Sequence, residues 1–262
     1  MMQPELFKQM ERTERLVGRD GLKKLHSSRV AVVGLGGVGS FALEALVRAG
    51  IGSLVLVDHD VVELTNLNRQ LLALHSTLGL PKVEVARQRA LDINPQVKID
   101  AWPIFCGPDN CRELLSGQLD YVVDAIDVVA SKVALLRTAR ELDRPVASSM
   151  GMGNKLDPTA LRVADISATQ VCPLARVIRR ELRRYGIVTG IQTVFSIEPS
   201  LKETAQSITR VESDSIKGLA FNAALISGPR IGPGSISYVP SIAGLMLAGI
   251  VIRGLLGLDQ DN

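Results

Sequence analysis

The stretch "VVGLGGVGSFALEALVRAGIGSLVLVDHD", residues 32 to 60, decides the fold. The apolar run "RVAVVG" over 29–34 reads as a buried strand. Glycines follow it, and Phe41, Leu43, Leu46 and Val47 then fall on one helical face. A second apolar run, "SLVLVD" over 53–58, ends in an aspartate. Strand, helix and strand within about thirty residues make a right-handed βαβ crossover. In that context Gly34-x-Gly36-x-x-Gly39 provides a tight turn, lets the backbone approach a phosphate and aims a helix N-terminus at negative charge. Asp58, at the end of the second strand, is placed for ribose hydroxyls. The glycines fit an NAD enzyme and an ATP-using enzyme equally.

The alternation continues outward. A helix is expected over 81–92, with Pro81 in its first turn, a strand near 97–102, a helix over 109–116 and a strand in "YVVDAID", 121–127. Next come a helix at 129–142, a strand in "PVASSM" and the glycine-bearing "GMGNKLDPT" of 151–159. Strands alternating with helices predict an α/β, Rossmann-like, doubly wound and mainly parallel sheet. We expect one domain: N-terminal amphipathic helices over 1–28, a nucleotide-binding core over 29–157 and a C-terminal substrate-side extension over 158–262. That extension holds a basic helix at 173–184, the apolar "TVFSI", and a polar stretch over 199–217 that reads as a flexible crossover. The apolar "SIAGLMLAGIVIRGLLGL" of 241–258 approaches the length of a membrane span. Its small residues and Arg253 favour a helix buried in the core or at a dimer interface.

Bulk composition narrows the class. With 262 residues, 46% of them hydrophobic, the chain can fill a large core, and a net charge of +3 does not mark a general nucleic-acid binder. Cys106, Cys111 and Cys172 are too few and scattered for a disulfide framework, and the spacing of the first two is not that of a zinc ribbon. We expect no structural zinc. The charged N-terminus lacks the apolar core of a secretory signal, so a cytoplasmic location is expected.

The loop after Asp58 separates the two nucleotide readings. "DHDVVELTNLNRQ" brings Asn66, Asn68, Arg69 and Gln70 close behind Asp58, and "LGLPKVE" adds Lys82. Hydride transfer needs no such cations beside the phosphates. Attack on the α-phosphorus of ATP does, because charge builds on the phosphoryl oxygens and on departing pyrophosphate. Asp127, at the end of another predicted strand, reads as a Mg²⁺ ligand.

"GLGGVGS", "LVDHD", "NLNRQ", "GLPKVE" and "DAID", in this order over about 30 to 130, resemble the ubiquitin-activating-enzyme-like adenylating proteins. The resemblance implies that Gly34, Gly36, Gly37, Gly39, Asp58, Asp60, Asn68, Arg69, Lys82 and Asp127 bind ATP and magnesium, with Arg69, Lys82 and Asp127 supporting adenylyl transfer. Arg15, in "RTERLVG", matches an arginine that reaches a phosphate from the neighbouring protomer in that family, with Arg12 close by; a homodimer is implied.

Sulfur-carrier activators of the family usually carry two Cys-x-x-Cys pairs, which this chain lacks. It resembles instead the branch that dehydrates threonylcarbamoyladenosine in tRNA, through "RTERLVG", "GIGSLVLVD", "DINP", "DAIDVVASKVAL", "GMGNKLDPT", "VCPLARVIRRELRRYGI", "VFSIE" and "GSISYVPSIAGL". That branch implies activation of the threonyl carboxylate as an acyl adenylate, then intramolecular ring closure, for which high effective molarity replaces a protein nucleophile. Arg176, Arg179, Arg180, Arg183 and Arg184, opposed only by Glu181, form the expected tRNA phosphate surface. Cys172 stands where related enzymes place a thioester-forming cysteine, but at a helix start it reads as a small inert residue. A sulfur-transfer protein is a further candidate partner, although the cysteine some members carry within "GPGSISYVP" is absent. The rival readings are adenylation of the C-terminus of a ubiquitin-like sulfur carrier, and an NAD-dependent redox protein.

Overall fold

The structure, a computed structural model, describes residues 8–201 and 233–258. Seven strands form one sheet in the order β3-β2-β1-β4-β5-β7-β6. They are β1 Arg29–Val33, β2 Ser53–Val57, β3 Lys98–Trp102, β4 Tyr121–Asp124, β5 Val146–Ser149, β6 Leu161–Asp165 and β7 Gln192–Ser196. All neighbours pair in parallel except β6, which runs antiparallel to β7 and closes that edge. The helices are α1 Glu11–Ser27, α2 Gly39–Arg48, α3 Lys82–Ile93, α4 Cys111–Ser116, α5 Val129–Glu141, α6 Pro173–Arg183 and α7 Tyr238–Leu256.

Strand periodicity sorts the core into two layers. Val30 and Val32 face one cluster with residues of α2, α3 and α7, while Ala31 and Val33 face another with residues of α4, α5 and α6. Burial on both sides explains why these strands read as unbroken apolar runs. The expected fold is therefore the observed one. At the N-terminus, α1 is two helical pieces joined at Gly18, whose φ of 74° interrupts the turn.

Several expectations shift in detail. Pro81 stands just before α3, with ψ of 131°, because the chain leaves an extended bridge between Val61 and Pro81 there. β4 ends at Asp124, so Asp127 lies in the following loop instead of at a strand end. Strand β6 went unread because Arg162 and Val163 are exposed on a sheet edge and give no apolar run. The 199–217 stretch falls outside the described residues from 202 onward. Helix α7 meets the length and hydropathy of a membrane span, yet 56% of that window is buried inside this fold. It lies on α2 so closely that a Cβ at Gly244 would stand 2.2 Å from the Val38 carbonyl oxygen.

Candidate active site

The site lies at the C-terminal ends of β1 and β4, where the strand order reverses and open α/β sheets form their ligand crevice. Gly34 has φ of +90°, and a Cβ there would meet the Ala125 carbonyl oxygen at 2.7 Å. A Cβ at Gly39 would stand 1.7 Å from the Gly34 carbonyl oxygen. Only glycine fits at either point. The N–H groups of Gly36, Gly37, Val38 and Gly39 have no acceptor among the described residues, so the turn and the start of α2 offer donors to an anion. The cradle fits a phosphate-bearing ligand.

Asp58 ties this loop to β2. Its Oδ2 accepts from the Leu35 N–H at 2.6 Å and its Oδ1 from the Asp60 N–H at 2.9 Å. Each oxygen keeps a lone pair for a ligand hydroxyl. Beyond it, Lys82 is buried at 4% exposure and donates from Nζ to Asp60 Oδ2 at 2.7 Å. His59 Nε2 lies 3.2 Å from Asp60 Oδ1 and its ring meets Phe105 edge-on. Lys82 is thus neither a solvated lysine nor a free cation.

The short helical turn Leu64–Asn66 starts with Asn66 Oδ1 accepting the Glu63 N–H at 3.1 Å. Arg69 follows, donating from Nη1 to the Thr65 carbonyl and to Asn68 Oδ1, both at 2.9 Å. Asn68 in turn donates to the Ser235 carbonyl at 3.1 Å, which joins this loop to the chain entering α7. A cavity of about 360 Å³ lies alongside, lined by Phe41, Asn68, Arg69, Tyr238 and Ser241 among others.

Asp127 is exposed, and its carboxylate has no partner among the described residues. Asp58, His59 and Asp60 also group their ligand atoms within 4.8 Å. Asp58 is engaged by backbone donors and Asp60 by Lys82, whereas Asp127 has no partner among the described residues. Behind it stands a network absent from the sequence reading. Lys132 Nζ donates to Asp124 Oδ2 at 2.6 Å, as does Ser148 Oγ at 2.6 Å, and Asp124 Oδ1 accepts from the Ile126 N–H at 3.1 Å. Both charged side chains are fully buried. The doubled aspartate of "DAID" was the available signal: its first member ends a buried strand.

The other predicted residues lie on other elements of the fold. Arg15 is exposed on the first piece of α1 and paired with Glu11. Arg176, Arg180 and Arg183 on α6 and Arg184 just after it are exposed, but Arg179 is partly buried and bonds Thr169. Glu181 opposes part of the group's charge: it accepts from Arg180 at 3.0 Å and from Arg184 at 2.7 Å. Cys172 is buried just before α6. Cys106 and Cys111, scattered in sequence, bring their sulfurs to 3.2 Å. The bond between the thiols, with burial, pushes Cys106 up, and the same bond pulls Cys111 down.

A phosphate cradle with cations and a free carboxylate around it defines an α/β nucleotide-binding protein equipped for phosphoryl chemistry. The chain belongs to the ThiF family, whose model matches residues 9–262. It is 42% identical over 251 residues to the tRNA threonylcarbamoyladenosine dehydratase of Bacillus subtilis, covering 96% of each chain. The crystal structure of Escherichia coli tRNA N6-threonylcarbamoyladenosine dehydratase, TcdA, in complex with ATP matches with TM-score 0.85 at 30% identity, covering 98% of both chains. The same enzyme in complex with AMP matches with TM-score 0.86 at 30% identity, over 100% of this chain and 99% of that one.

Proposed function

We propose that this protein is an ATP-dependent tRNA threonylcarbamoyladenosine dehydratase that works as a homodimer with Mg²⁺ in the cytoplasm. The observation that carries the reading is the glycine cradle with Lys82 and Arg69 beside it, in a chain that matches dehydratases along nearly its whole length. The threonyl carboxylate attacks the α-phosphorus of ATP and pyrophosphate leaves. A nucleophile of the same modified base then attacks the activated acyl carbon and AMP departs, so the nucleoside loses one water overall. In this scheme the N–H groups of residues 36–39 hold phosphate oxygens, Asp58 takes the ribose, and Arg69 and Lys82 neutralise charge that grows as pyrophosphate leaves. Asp127 would hold a magnesium ion, which when bound would supply further charge neutralisation.

Arg15 acts in the partner's site. The exposed Leu64, Leu74, Leu78 and Leu80 around the Arg69 loop support a dimer through the face that carries this loop. The free guanidinium groups of α6 support tRNA as substrate. Mass spectrometry of nucleosides from threonylcarbamoyladenosine-bearing tRNA, incubated with this protein with and without Mg-ATP, tests the reading. ATP-dependent loss of one water is expected; an unchanged nucleoside refutes it.

A further inference from the structure

Arginines on this chain are mostly engaged. Among the described residues, the guanidinium groups with neither a hydrogen bond nor an ion pair are those of Arg12, Arg140, Arg176 and Arg183. Arg140, Arg176 and Arg183 belong to α5 and α6, which pack together on one face of the sheet. Helix α6 starts beside the crevice: a Cβ at Gly151, just past β5, would lie 3.9 Å from Cys172 Sγ. Its eleven residues then run for about 16 Å at the usual rise toward the opposite end of the sheet. Arg176 and Arg183 stand on its exposed side along that path.

At the far end is a cleft. It has a volume of about 310 Å³ between the end of α5, with Arg137, Arg140 and Glu141, and the turn Tyr185–Thr189. Tyr185 is 52% exposed and carries the Arg137 guanidinium 4.6 Å from its ring centre on one face. Glu141 is taken up by Arg137 at 2.6 Å and Arg112 at 2.8 Å, so it leaves Arg140 uncompensated. Arg140 itself lies against the Gly190 backbone, where a Cβ would come within 3.0 Å of its Cζ. In this position its donors lie beside the Tyr185 turn.

We infer that this cleft is a distal binding site for the phosphodiester backbone of RNA, reached by a tRNA stem that leaves the crevice along α6. The inference rests on the reading of tRNA as substrate. Arg140 takes a phosphate, Arg176 and Arg183 take phosphates between it and the crevice, and the free face of Tyr185 meets a ribose or base. An unpaired guanidinium suits a phosphate because its planar donors match the anion's oxygens. Binding here is set by backbone charge and carries no sequence preference.

The test measures affinity for two RNAs over a range of salt: full-length threonylcarbamoyladenosine-bearing tRNA, and an anticodon hairpin cut to the few pairs next to its loop. Arg140→Ala should weaken full-length tRNA about tenfold and reduce the salt slope by about one. Arg140→Lys keeps the charge and should restore the slope. The short hairpin should bind both variants like the parent protein, and ATP binding should not change. Equal loss for both RNAs would put Arg140 near the anticodon loop and overturn the inference, as would an unchanged slope. A parent protein that binds neither RNA would overturn the substrate reading itself, a different result from a variant that matches its parent.

Discussion

Replacing Lys132 by Met tests how the switch-point loop is held. The substitution removes a cation whose Nζ is 2.6 Å from Asp124 Oδ2, with both side chains fully buried. Asp124 then keeps only neutral partners, the Ser148 hydroxyl and the Ile126 N–H. An uncompensated buried charge costs about 3–5 kcal/mol. For a chain of 262 residues that corresponds to a fall in Tm of roughly 6–10 °C. Adding Asp124→Asn to Lys132→Met removes the stranded charge while leaving an oxygen for the Ile126 N–H, so the double variant should regain most of the loss. Circular dichroism melts of the single and double variants supply the cycle. Because the Asp124–Ile126 bond shapes the turn that carries Asp127, Lys132→Met should also lower ATP-dependent water loss measured well below its Tm. A single variant destabilised by less than about 1 kcal/mol, or a double variant no better than the single, would refute the argument.

Gly39→Ala should abolish the rise in Tm that ATP confers, since the new Cβ would meet the Gly34 carbonyl oxygen at 1.7 Å; a preserved ATP shift would contradict the cradle. Arg69→Ala should lower the rate of pyrophosphate release by roughly a hundredfold and ATP affinity by no more than about threefold, because its contact strengthens as charge develops; equal losses in steady-state rate and in ATP binding would show ordinary ground-state binding instead. Asp165→Asn addresses acid stability. Burial raises the Asp165 pKa, but the Ser167 hydroxyl and the N–H groups of Ser167, Gly190 and Ile191 outweigh it and hold the value below normal. A lowered folded value means the stabilisation is complete above about pH 4, the unfolded range, and disappears as pH falls through the folded value. Denaturant melts should therefore separate parent and variant at pH 7 and bring them together in strong acid, and a gap constant with pH would rule this out.

The fold was legible wherever burial is two-sided. β1 and β2 are shielded on both faces and appear as runs of Val and Leu, and the glycines between them admit one backbone path. β6 was illegible for another reason: "LRVAD" has exposed Arg162 and Val163 and no apolar run, whereas β3, the other edge strand, is placed by the strand–helix alternation before it. The same distinction governs the site. Asp58, Asn68, Arg69 and Lys82 sit in local motifs whose spacing survives in the sequence. The Asp124–Lys132–Ser148 network joins β4, α5 and β5, and only the strand pairing brings Ser148 opposite Asp124. Likewise, Glu181 is one residue from Arg180 in sequence, but its bridging of Arg180 and Arg184 depends on rotamers no motif records.

The pairing of Lys82 explains how such a cation can be buried. A lone ammonium at 4% exposure would be costly, and Asp60 offsets that cost at 2.7 Å. The two partners are not equally fixed: the Lys82 side chain is 5% exposed and the Asp60 side chain 49%. In the proposed reading, a triphosphate with more charge than one carboxylate would draw Lys82 away from Asp60, the more exposed of the two partners. Arg69 follows the same rule, since Thr65 and Asn68 occupy its Nη1 with neutral oxygens that an anion readily replaces. On that reading, neutral or more exposed partners keep both cations near the cradle until phosphates would replace them, which preorganises the site without a bare charge.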